Sequence, residues 1–129
     1  MRQVINPDGI VKPVGYSQAV RASGSVLVFI AGQVAVDENG EIVGRGDIEA
    51  QTRQIMINIE TIIKAAGGTM RDIVRWTHYS TNIARYADTA RRVRSEFIPT
   101  DPPAGALIEV KALAHPDYLL EVDAIAVLD

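Results

Sequence analysis

Apolar residues recur with a helical period over residues 48–66, where Ile48, Thr52, Ile55, Met56, Ile59, Ile62, Ile63 and Ala66 share one stripe. Asp47 supplies an N-cap carboxylate, Glu49 occupies the first turn, and Gly67-Gly68 stops the helix. A second arc of Ile83, Tyr86, Ala90, Val93 and Phe97 predicts a helix over 83–98, ended by Pro99. The strands carry other patterns. Residues 26–32 are apolar without alternation, as in a strand covered on both faces. Residues 73–81 are rich in β-branched and aromatic types. Over 105–112 the even positions Ala106, Ile108, Val110 and Ala112 are apolar, and over 119–128 so are Leu120, Val122, Ala124, Ala126 and Leu128. Both strands are therefore expected to turn even residues toward the helices and Gly105, Glu109, Lys111, Glu121 and Asp123 outward. Turn signals at Pro7-Asp8-Gly9, Pro13-Val14-Gly15 and Ser23-Gly24-Ser25 cut the first 25 residues into short extended pieces.

The order β-β-β-α-β-α-β-β predicts one α+β domain over residues 1–129, its sheet carrying two helices on one face. Two helices leave the other face bare, so either Val26, Val28 and Ile30 or Leu27, Phe29 and Ala31 meet solvent. Each such side chain costs roughly 1.5–3 kcal/mol when left wet. The open face is thus expected to be a self-association surface.

Composition narrows the partners. A formal charge of −3 argues against nucleic acid as a partner. Arg85 and Arg92 point away from the apolar arc of the second helix and Arg91 and Arg94 flank it, the arrangement of a solvated helix face rather than a phosphate-binding patch. No apolar run approaches the ~20 residues of a membrane span, and the first residues lack an apolar signal core. Absence of cysteine fits a cytoplasmic protein. His78 and His115 have no metal-ligand spacing, and neither P-loop, dinucleotide fingerprint nor nucleophile elbow occurs, so no metal or cofactor is expected. His78, between Trp76 and Tyr79 on a strand, reads as either an acid–base group or a packed core residue.

Gly15-Tyr16-Ser17-Gln18-Ala19-Val20, Ile30-Ala31-Gly32-Gln33, Gln51-Thr52-Arg53-Gln54 with Asn58, Ala65-Ala66-Gly67, Pro103-Ala104, Glu109-Val110-Lys111-Ala112-Leu113 and Leu120 to Ala126 follow one another in a telling order. Together they resemble the signature of the RidA/YjgF family over nearly the whole chain. The resemblance implies a chorismate-mutase-like fold and a homotrimer with sites in clefts between subunits. It also implies cofactor-free hydrolysis of enamines and imines to 2-oxo acids and ammonia. By the same resemblance Tyr16 closes the pocket, backbone groups at Ala31 and Gly32 help to position the attacking water, and Glu121 acts on that water.

Here the chain departs from the pattern. The family's carboxylate-holding arginine follows the proline–alanine pair, but Pro103-Ala104 is followed by Gly105; the family's Ser-Gly reads Ala31-Gly32, and an asparagine of the second helix reads Ala90. Losing a buried guanidinium–carboxylate pair typically costs about 2–5 kcal/mol. Lys111, six residues along at ~3.3 Å each, stands about 20 Å away. Arg75 reaches a cleft only if its face of the strand turns that way. Gly105, Leu107, His78 and Arg75 complete the candidate lining. The expected activity is a deaminase-like hydrolase acting on a small metabolite, with Glu121 as base and Tyr16 as hydroxyl donor. Its substrate is expected to be less anionic or bulkier than ordinary 2-imino acids, because Gly105 removes charge and volume. The alternative is a ligand-binding or regulatory trimer that kept the cleft without the chemistry; an endoribonuclease or translation inhibitor ranks last on the charge balance.

Overall fold

The Asp47 carboxylate does cap the first helix, accepting from the Ala50 backbone N–H at 3.1 Å in a computed structural model that describes residues 1–129. The elements are β1 (Arg2–Ile5), β2 (Ala19–Ala22), β3 (Val26–Gln33), α1 (Ile48–Ala65), β4 (Ile73–Ser80), α2 (Ile83–Phe97), β5 (Ala104–Glu109) and β6 (Leu120–Leu128), with a short 3-10 turn at Met70–Asp72. This is the expected order. β1 and β2 form a separate hairpin, and the other strands make one mixed sheet in the order β3-β6-β4-β5. Only the β4–β5 pair is parallel.

Both helices lie on one face. The α1 stripe buries Thr52, Ile55, Met56, Ile59 and Ile63 against Leu120, Val122 and Ala124 of β6, burial that carries most of a helix's stability in a protein. Gln51, unremarkable in the sequence, is also fully buried. Its amide donates to the carbonyls of Gly44 and Asp117 and accepts from the Leu119 N–H, so it ties the chain leading into β6 to the helix.

Two expectations need correction. Strand β5 is turned over. Its register pairs Gly105 with Trp76 and Leu107 with His78, which face the helices, so Ala106 and Ile108 fall on the open side and Ile108 is 43% exposed. Residues 105–108 read Gly-Ala-Leu-Ile, with no polar side chain to set the phase, and Glu109, the first that could, turns toward the helices. Its carboxylate accepts from the Ile83 N–H at 2.9 Å, at the positive end of α2. The strand ends there, so Lys111 lies beyond it. The second correction concerns β3, whose unbroken apolar run suggested cover on both faces. Val28 and Ile30 face the helices, while Leu27 and Phe29 on the bare side are 59% and 72% exposed.

Candidate functional site

The site begins with what the inverted β5 brings to the helix side. Gly105 and Leu107 stand beside Trp76 and His78 of β4, at the sheet edge that α2 overhangs. Between them is a cavity of about 380 Å³, within the ~300–1,000 Å³ typical of small-molecule sites. From α2 it receives Ala87, Asp88, Arg91 and Arg94; Val14, Gly15 and Tyr16 form its lip. That lip is pinned. Ser17 donates its N–H to the Pro103 carbonyl at 3.2 Å and its hydroxyl to the Pro102 carbonyl. Gly15, at φ +78°, lies so close to α2 that a Cβ there would stand 2.6 Å from Arg91 Cδ, a position only glycine fills without strain.

The polar groups of the cavity are unusually bare. His78 is buried, and neither ring nitrogen has a hydrogen-bond partner. Its ring meets the Trp76 indole edge-on at 5.0 Å between centroids. Burial first, and then the positive charge of Arg94, hold this imidazole neutral, well below its ordinary pKa of 6.5. Arg94 is itself drawn out of water, its pKa lowered to about 10 by burial and then by Arg91. No acidic side chain pairs with it, although its neighbours on α2 are matched: Arg91 with Asp88 at 3.4 Å and Arg92 with Glu49 at 3.4 Å. Charge drawn out of water is normally paired; Arg94 is half-buried, unpaired within the chain, and lines the cavity.

Several predicted site residues therefore meet and others do not. Tyr16, His78, Gly105 and Leu107 gather round one cavity. Glu121, Gly32 and Ala31 form a second group on the opposite, bare face of the sheet. There the Glu121 carboxylate rests on Gly32, where a Cβ would stand 2.9 Å from the carboxyl carbon. A register shift between Ile30 and Gln33 takes Ala31 and Gly32 out of the ladder at that point, a feature common beside active sites. Arg75, paired with Ala104 and Ile125, is exposed on that face as well and does not enter the cavity of its own chain.

The expectation that Arg91 and Arg94 belong to a solvated helix face fails, because both line the cavity. Nor does Gly105 widen the pocket: a Cβ at that position would strike the Trp76 carbonyl oxygen and stand 2.9 Å from the indole Cδ1. The indole already fills the space. Ala90, matched to the family's asparagine, is core; the helix turns Asp88 to the cavity instead.

A four-stranded mixed sheet backed by two helices, with a cavity at its β5 edge, defines a class of small α+β proteins. The family model described as Endoribonuclease L-PSP matches residues 9–128. A RutC family protein of Pyrococcus horikoshii is 40% identical over 128 residues, 98% of each chain. Among solved structures, the Rid protein family member YyfB from Yersinia pestis is 39% identical and superposes with a TM-score of 0.90 over 98% of both chains. RidA from an Antarctic Psychrobacter is 32% identical, with a TM-score of 0.72 over 98% of this chain and 99% of that one. The chain belongs to the RidA/YjgF family.

Proposed function

We propose that this chain is a cofactor-free hydrolase of the deaminase type, acting on small imines or enamines as a homotrimer in the cytoplasm. In this reading Glu121 of one copy faces the cavity of the next. The observation that carries it is the division of the candidate residues: a cavity lined by Tyr16, His78 and Leu107, and a carboxylate on the far side of the sheet. Inside the cavity the one carboxylate, Asp88, is matched to Arg91 and otherwise turned to solvent, so a base has to come from elsewhere. Glu121 lies on a face whose exposed Leu27, Phe29 and Ile108 call for cover.

The chemistry is the addition of water to a C=N bond. Glu121 takes a proton as the water oxygen bonds to carbon, and the nitrogen receives a proton as its π bond opens. The resulting carbinolamine expels ammonia and leaves a carbonyl, so one imine and one water give one ketone or aldehyde and one ammonia. A neutral His78 serves as hydrogen-bond donor or acceptor here rather than as a cationic acid. The test is release of 2-oxo acid from imines generated in solution by an amino-acid oxidase. Purified protein is expected to speed it, and Glu121→Ala to remove the acceleration. Ligand binding without acceleration of any imine would instead identify a binding trimer.

A further inference from the structure

We infer that Arg94, from the helix wall of the cavity, is the receptor for a carboxylate, and that the ligand is a small carboxylate bearing an apolar side chain. The inference rests on reading the cavity as the ligand site and adds the group that selects the ligand. Of the two guanidinium groups lining the cavity, that of Arg91 is already matched to Asp88. Within its own chain Arg94 has no acidic partner, and the His78 beside it leaves both ring nitrogens unused. A planar guanidinium presents two parallel N–H donors that fit a carboxylate in bidentate fashion. Beyond the polar groups the lining is apolar, with Val14, Trp76, Ala87, Ala106 and Leu107. A free guanidinium beside hydrocarbon describes a ligand with one anionic end and an apolar body. The volume leaves room for a body larger than a methyl group.

A half-buried charge left without a partner does not stabilise the protein that contains it, which separates a receptor from a structural arginine. Removing a structural arginine lowers the melting temperature; removing an empty receptor does not. Trp76 is the only tryptophan of the chain and lies on the cavity wall, so its emission reports occupancy.

The experiment titrates the full-length protein with benzoate, pyruvate and the neutral analogue benzamide, following Trp76 emission. Benzoate is expected to saturate, to bind more tightly than pyruvate, and to bind far more tightly than benzamide. Arg94→Gln is expected to weaken benzoate about 30-fold or more, the loss that follows from unpairing a desolvated charge. Arg85→Gln, with the same change in net charge on the solvent side of α2, keeps the original affinity. Without ligand, Arg94→Met is expected to melt at or above the temperature of the unaltered protein, and benzoate is expected to raise the melting temperature of the unaltered protein only. Equal benzoate affinity in Arg94→Gln overturns the inference, as does equal affinity for benzoate and benzamide, or no saturable binding of either carboxylate. If Arg94-dependent binding is found and no imine is hydrolysed, the hydrolase reading falls and this one stands. If imines are hydrolysed equally well by Arg94→Gln, the reverse holds.

Discussion

The two faces of the sheet differ in how complete they are. On the helix face, one chain builds a walled cavity with its own arginine, imidazole and indole. On the bare face, Glu121 rests on Gly32 among side chains that a single chain leaves half in water. On the readings proposed above, the first region binds the ligand with residues of one chain, whereas the second contributes only when another surface covers it. Binding and turnover should therefore separate under mutation.

The sharpest way to break this comparison is Phe29→Asp, which puts a charge at the centre of the bare face. Sedimentation is expected to show the mass falling to that of one chain, with hydrolysis lost and folding retained; unchanged mass and activity would mean that the bare face plays no part. Next is Glu121→Gln, which keeps the shape and removes the base. Turnover is expected to fall about 10²–10⁴-fold, while saturable, Arg94-dependent benzoate binding at the cavity persists. If both fall together, the two regions are one. A smaller effect is expected from Gly105→Ala, whose methyl group would be forced against the Trp76 backbone. Overpacking of this kind costs about 1–3 kcal/mol, read as a lower denaturation midpoint. The smallest is a pH effect. Below pH 6.5 the unfolded chain gains a proton that the buried His78 refuses, so stability should fall with acid by about 1.4 kcal/mol per pH unit until the folded imidazole titrates. His78→Leu should flatten that slope; an unaltered slope would locate the acid sensitivity elsewhere.

Much of this architecture was legible in the residues. α1 could be read because a cap, a stripe and a glycine stop agree with one another, and β6 because Glu121 and Asp123 interrupt an apolar alternation. β5 was misread because Gly-Ala-Leu-Ile has no polar residue to set its phase. Arg94 was misread for a related reason. A helical wheel gives the direction of a side chain but not what lies in that direction, and a position flanking an apolar arc can border either water or a hollow. The hollow lies where α2 overhangs the β5 edge, with Ala87 of the helix and Gly105 and Leu107 of the strand in its lining. That juxtaposition depends on the strand phase, so one error led to the other. The grouping of Tyr16 with the proline-rich loop was implied only by resemblance; the hydrogen bonds of Ser17 to Pro102 and Pro103 supply its physical cause.

The sheet order β3-β6-β4-β5 has a consequence for how the chain is made. The last strand synthesised takes the second place in space, between two strands that have no other antiparallel partner in the sheet. Until it leaves the ribosome, β3 shows a bare apolar edge and β4 has a partner on one side only. Pairings this distant in sequence close slowly, and exposed edges invite other chains. Folding of this protein is therefore a race between the arrival of its last strand and capture of its first long one by a neighbour.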